Sequence, residues 1–257
     1  MKPFCKLCLV NVADKKNSHI ISKFLVKGIF ENAPHKCAIQ IEKKGISIKV
    51  QDSTKEHYLF CPQCEKRMSI LESYFSRKLS DLLDYKSRPD LYKVLSLKGQ
   101  KYTMLKSISN IEFYLFFYLQ AWRLSISNSP NFENFKFSIE IEEKIRSFLD
   151  LNLELDHQMF IENLKDVNEF PEFNNCFVIP EEISKQNKGI VTAYEFFKDS
   201  YLILSVNFAF MIFTSDVSLN SAFKEFNNKN KRHIKVFLGN NESWQNLSNS
   251  IIEELKS

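Results

Sequence analysis

An α+β fold is predicted, with a metal-stapled module at the N-terminus and a mixed helical and antiparallel-β body behind it. Three observations predict it. Cys5-Lys6-Leu7-Cys8 and Cys61-Pro62-Gln63-Cys64 are two Cys-x2-Cys knuckles that bracket residues 9–60. Two helical stretches follow, one striped and one apolar nearly all round. From Val178 onward, runs of β-branched and aromatic residues take over, as in adjacent strands.

Two Cys-x2-Cys knuckles are the ligand set of a tetrahedral four-cysteine zinc site. Each knuckle offers two soft thiolates from a tight turn, and zinc imposes no geometry that such turns cannot meet. Cys5, Cys8, Cys61 and Cys64 are therefore the expected ligands of a structural Zn2+. The competing reading, four unrelated reduced thiols, is disfavoured by the paired spacing. Cys37 and Cys176 read as plain thiols, since Cys is often buried as a small apolar residue.

Residues 4–16 read as a knuckle followed by a turn or hairpin. Ile20, Ile21, Phe24, Leu25 and Phe30 have a helix-like spacing over 18–30. Ile39, Ile41, Ile46, Ile48 and Val50 alternate around Lys43-Lys44-Gly45, a hairpin pattern. Tyr58-Leu59-Phe60 leads as a short strand into the second knuckle. A long helix is expected over 62–86, with Pro62 in its first turn and Met68, Leu71, Phe75, Leu79 and Leu82 as its buried stripe. These residues, 1–86, form the first predicted unit.

The second unit, 87–257, centres on an aromatic helix over 111–127 that contains Phe113, Phe116, Phe117 and Trp122. Core packing with Arg123 turned outward is the reading its composition favours. Helices over 139–155 and 158–165 follow, then strands over 190–197, 201–206, 208–213 and 233–238. Asn241-Glu242-Ser243 opens a closing helix.

The 257 residues are 44% hydrophobic, a globular and not a disordered composition. Phe is abundant at 24 and Gly scarce at 5, and neither the G-x-G-x-x-G nor the G-x-x-x-x-G-K-[ST] phosphate signature occurs. The longest apolar stretches, 113–122 and 201–213, fall short of the ~20 residues a membrane helix needs. No signal segment is expected in Met1-Lys2-Pro3-Phe4-Cys5. A cytoplasmic protein without a membrane partner is expected, its thiols binding metal and not forming disulfides.

The net charge of +4 is divided unevenly: residues 1–86 carry 16 Lys and Arg against 9 Asp and Glu, and the remainder 19 against 22. A basic module on a mildly acidic body suits a polyanion such as nucleic acid. Lys15, Lys16, Lys43 and Lys44 are the candidate contacts; a solvated lysine-rich surface is the plainer alternative.

His19, in Ser18-His19-Ile20-Ile21, lies between the knuckles. A neutral imidazole near pH 7 is the default general base, and phosphodiester cleavage also needs a metal to relieve charge at the leaving oxygen. The alternative is an ordinary polar residue at a helix start, capped by Ser18. His57 is a further candidate, from a strand opposite His19. Glu72 lies on the same helical face as Glu65, but about 10.5 Å along the axis. Both cannot readily bind one ion, so Glu72 reads as a partner of Lys78 or Arg77.

The order Cys-x2-Cys, His-Ile-Ile, then Leu59-Phe60-Cys61-Pro62-Gln63-Cys64-Glu65 with a helix following resembles the HNH (His-Me finger) endonuclease family. The resemblance covers roughly the first third of the chain. It implies a zinc-stapled ββα, treble-clef-like module that cleaves nucleic acid. His19 takes the place of the base, and Glu65 that of the ligand after the last cysteine, which with Mg2+ or Mn2+ would act at the scissile phosphate. Ser18 stands where members often carry an acidic residue, and Glu56 where many carry Asn. Together with Ala121-Trp122-Arg123 the pattern is also similar to uncharacterised bacterial and phage proteins suspected of roles in antiviral defence.

The expected function is thus a metal-dependent endonuclease, with DNA a better substrate than RNA. The alternative is a catalytically silent zinc module that binds nucleic acid or protein. The 87–257 body would meet the protein partner or recognise a nucleic-acid structure.

Overall fold

A computed structural model describes residues 2–32, 34–41, 47–167, 169–182, 190–215, 221–229 and 233–256. The fold is mixed α and β. It opens with β1 (Ser18–His19), α1 (Lys23–Asn32), β2 (Ala38–Ile41), β3 (Ser47–Val50), β4 (Lys55–Glu56) and α2 (Pro62–Leu83). β1 and β4 form an antiparallel ribbon, with Ser18 opposite Glu56 and His19 opposite Lys55. β2 and β3 form the hairpin that alternation predicts, with Ala38 opposite Val50. Its turn, with Lys43 and Lys44, lies outside the described residues.

The helix expected over 18–30 starts only at Lys23, because the residues before it are drawn into the ribbon: Ile20 N–H donates to Thr54 O at 3.1 Å. Ser18 therefore caps no helix. Tyr58-Leu59-Phe60 is not a strand either. Tyr58 turns the chain with φ 61, and this segment is stitched to the N-terminal loop by Lys6 N–H to Leu59 O (2.9 Å), Lys15 N–H to Phe60 O (3.1 Å) and Tyr58 N–H to Lys15 O (2.9 Å). In α2, Pro62 occupies the first turn and the expected stripe, Met68, Leu71, Phe75, Leu79 and Leu82, is buried together with Cys64.

Beyond α2 come β5 (Leu95–Leu97), β6 (Gln100–Leu105), α3 (Asn110–Ile126), α4 (Ile139–Asn152) and α5 (His157–Asn163). The chain ends with β7 (Asn174–Pro180), β8 (Thr192–Phe197), β9 (Ser200–Ser205), β10 (Phe208–Phe213), α6 (Ser221–Phe226), β11 (Ile234–Gly239) and α7 (Asn241–Lys256). β5 to β11 form one sheet in the order β5-β6-β11-β7-β10-β9-β8. Neighbours are antiparallel except β11 and β7, which run parallel.

Each residue of α3 from Ile111 to Ile126 is buried, as an apolar surface all round requires. Its N-terminus is closed by a capping box between Ser109 and Glu112, a device worth about 1 kcal/mol. On one side Phe116 stacks on Phe75 of α2 with ring centroids 4.1 Å apart. On the other, Phe113 meets Phe177 of β7 at 5.4 Å and Phe117 meets Phe210 of β10 at 4.5 Å. The layers are thus α2, α3 and sheet. One continuous buried cluster runs from Cys5 to Leu238. The boundary expected at residue 86 falls inside that cluster, beside buried Tyr85, whose hydroxyl donates to Glu181 O at 2.9 Å. Among the described residues no helix is long and apolar enough to cross a membrane.

Truncating Phe75 to Ala empties the α2–α3 contact, and a loss of about 3–5 kcal/mol is expected. Urea denaturation followed by far-UV circular dichroism and Trp fluorescence checks it. Because both sides of residue 86 share the core, the two probes should report one transition.

Candidate functional site

The two knuckles come together. The Sγ atoms of Cys5, Cys8, Cys61 and Cys64 all lie within 4.8 Å of one another, so the four could hold a metal ion such as zinc. The first knuckle is formed by a short hairpin: Ala13 N–H donates to Pro3 O, Cys5 N–H to Asn11 O (2.8 Å), and Leu9 closes the turn with φ 58. The second opens α2, where Glu65 N–H bonds Cys61 O at 3.1 Å.

The donors around the sulfurs suit thiolates. A hydrogen bond from the Cys64 thiol pulls the Cys5 pKa down to about 4, and backbone N–H groups of Cys8, Cys61 and Leu7 act in the same direction against the cost of burial. The same shared proton pushes Cys64 up. Burial raises Cys61, whose sulfur accepts from Asn11 Nδ2 at 3.8 Å. A divalent ion would replace the shared proton and leave all four sulfurs ionised.

His19 stands on β1 with a side chain 28% exposed. Its Nδ1 lies 2.8 Å from Ser53 Oγ and 4.0 Å from Asp52 Oδ1, while Asp52 is itself paired with Lys55 at 2.6 Å. Burial lowers the His19 pKa below its ordinary value of 6.5. Asp52 and Glu72 oppose that shift, and Lys55 and Lys23 reinforce it. Near pH 7 the ring is therefore neutral, with one nitrogen held in the Ser53–Asp52 corner.

Asp52 and Glu72 also line an open groove of about 570 Å³, whose wall includes Lys23, Phe24, Lys27 and Ser76. Glu72 is not bound to Lys78 or Arg77. Its carboxylate accepts from Ser22 Oγ at 2.5 Å and from Arg123 Nη1. Arg123, expected to point outward, is buried, and it also reaches Met68 Sδ at 3.3 Å. Lys78 pairs instead with Glu112 at 2.8 Å.

Glu65 sits in the first turn of α2, where a carboxylate is favoured by the helix dipole. One of its oxygens is buried without a hydrogen-bond partner, but Glu65 is not among the charges that act most on His19. His57 follows β4, exposed, and its Nδ1 accepts from Asn17 N–H at 3.3 Å. Glu56 acts as a tie between β4 and the loop after α3, accepting from Ser127 Oγ and from the N–H groups of Asn128 (3.0 Å) and Ser129 (3.3 Å). Lys15 and Lys16 are exposed on the segment that leads into β1. Among the described residues, the four cysteines alone bring three or more ligating groups close enough for one ion.

Asp52 and Ser53 are site residues that sequence reasoning does not single out. Asp-Ser ahead of a short strand is a common turn pattern, and only the register of β1 on β4 brings it to His19. Comparison of the chain with protein-family models, with curated proteins and with solved structures finds no match.

The His19 shift gives a pH prediction. Its folded pKa is depressed, so the stability from the neutral ring is fully present above about 6.5, the unfolded value. It is lost as pH falls through the folded pKa. NMR titration of the His19 ring should give a midpoint below 6.5. In Asp52→Asn the midpoint should fall further, because the carboxylate that supports the imidazolium is gone.

Proposed function

We propose that the chain is an HNH-like endonuclease, in which a four-cysteine Zn2+ centre fixes a ribbon carrying the general base, His19. The observation that carries the reading is the placement of His19. It lies on the first strand of a two-stranded ribbon whose second strand is followed, after residues 57–61, by α2, with Cys61 just before that helix and Cys64 in its first turn. The resemblance implies strand, strand and helix beside the cysteines; the ribbon and α2 support it, with α1, β2 and β3 inserted between the two ribbon strands. The imidazole is neutral, partly exposed and held at one nitrogen, as a base that takes a proton from water must be.

In this reading Ser53 and Asp52 fix the ring through Nδ1 and leave the other nitrogen to receive the proton. Exposed Lys15 and Lys16 supply sequence-independent affinity for the phosphate backbone. Mg2+ is commonly held by one or two carboxylates together with water and substrate phosphates. The resemblance assigns Mg2+ or Mn2+, which would supply charge relief at the leaving oxygen, to Glu65, one of whose oxygens is buried without a partner; the carboxylate beside His19 is instead Asp52. A second reading, a silent zinc module that binds nucleic acid or a protein partner through residues 87–257, is favoured by one observation: the position before His19, where the resemblance calls for an acidic ligand, is Ser18, buried in the ribbon opposite Glu56.

The test compares wild type with His19→Ala on plasmid DNA, single-stranded DNA and RNA, in EDTA, Mg2+ and Mn2+. Metal-dependent cutting that falls by about 10²–10⁴-fold in His19→Ala, the usual worth of a general base, with binding retained, is the expected result. Salt-sensitive binding without cutting by either chain would establish the silent module instead.

A further inference from the structure

We propose that Arg67 and α4 belong to the metal centre, Arg67 bridging the Cys64 sulfur to the C-terminal end of α4, so that metal capture and the seating of this helix are coupled. The proposal rests on reading the four cysteines as a metal centre. It assigns a role to residues outside both knuckles.

Arg67 lies three residues after Cys64 on α2, on the same helical face. Its side chain is largely buried, at 15% exposure. Nη1 lies 3.9 Å from Cys64 Sγ and 2.7 Å from Asp150 Oδ1. Nε donates to Leu153 O at 2.8 Å, and Nη2 donates to Asp150 O. Asp150 and Leu153 lie at the C-terminal end of α4, where backbone carbonyls lack helical partners and the helix dipole is negative. One guanidinium therefore serves a sulfur, a carboxylate and two of those carbonyls. An arginine suits the place because its planar fork keeps its charge when buried.

The grip is returned from the other side. Arg146 of α4 donates from Nη1 to Leu7 O, between Cys5 and Cys8, at 2.6 Å. Glu143 fixes it through Nε at 2.6 Å. Each knuckle is thus joined to α4 by one arginine. The charges explain why Arg67 matters most. A divalent ion with four thiolates carries a net charge of about −2, and without Arg67, Asp150 would face it with only the longer contact to Arg146 Nη1, at 3.9 Å. Partners of metal ligands of this kind typically contribute 10–100-fold to metal affinity.

The test uses the full chain and zinc alone. Wild type should take up about one Zn2+, with affinity measured by chelator competition. Arg67→Met should bind zinc about 10–100-fold more weakly. Adding Asp150→Asn to Arg67→Met should restore a large part of that loss, because no carboxylate is then stranded beside the anionic centre. In wild type, zinc removal should speed amide exchange in residues 143–153 while β9 and β10 stay protected. Unchanged zinc affinity in Arg67→Met, or exchange in α4 that ignores zinc removal, overturns the proposal. Should Arg67→Met fail to fold, the wild-type exchange experiment decides alone. A wild-type chain that takes up no zinc overturns the metal centre itself and this coupling with it, and the stoichiometry tells that failure from the other.

Discussion

Burying α3 on every side is the constraint from which the placement of α2, α4 and the corner between β1 and α1 follows. A polar side chain on a helix with no solvent-facing surface must find a partner or bear the full cost of desolvation. Glu112 takes Lys78 and Tyr74 of α2, Gln120 accepts from Ser22 N–H at 3.0 Å, Arg123 takes Glu72, and Ser125 donates to Glu142 of α4 at 3.0 Å. Those partners lie on α2, on the corner between β1 and α1, and on α4. The needs of one buried helix therefore fix the position of three neighbouring elements. Removing one member of a buried ion pair such as Arg123–Glu72 typically costs about 3–5 kcal/mol, a large share of the roughly 5–15 kcal/mol that holds a domain folded.

The N-terminal loop has a different problem. Its strands are two residues long, too short to stand alone. Phe4, Leu9, Val10 and Val12 remain exposed, so apolar burial does little for the knuckle tip. What holds the loop is backbone pairing with residues 58–60 and Glu56 anchored to the loop after α3; a metal ion on the four sulfurs would add to both. His19 inherits its position from these contacts more than from any packing of its own.

The legible parts of the fold were those where one local pattern determines one answer. The stripe from Met68 to Leu82 admits a single buried face, the aromatic run in α3 admits none that is exposed, and the knuckle spacing groups four thiols. The β5–β6 hairpin has its own local signal, Lys98-Gly99 between alternating segments, with both residues at positive φ. The 18–30 segment misled because Ile20 and Ile21 fit a helical stripe, whereas the ribbon draws them out. Arg123, expected to face outward, is buried. A charge that pairs with Glu72, 51 positions away in the chain, looks the same in sequence as a solvated one. Asp52 beside His19 was hidden for the same reason, since strand register, not spacing, brings the two together.

The strand order has a consequence for how the chain is made. β11 lies between β6 and β7, yet it leaves the ribosome after every other strand of this sheet. Until residues 234–239 emerge, β5–β6 and β7–β10 are separate pieces, each with an open edge where β11 belongs. Such edges invite pairing with another chain, and contacts so distant in sequence form slowly. The nascent chain must therefore carry two unfinished half-sheets until β11 joins them, and its greatest exposure to misassembly comes just before that strand emerges.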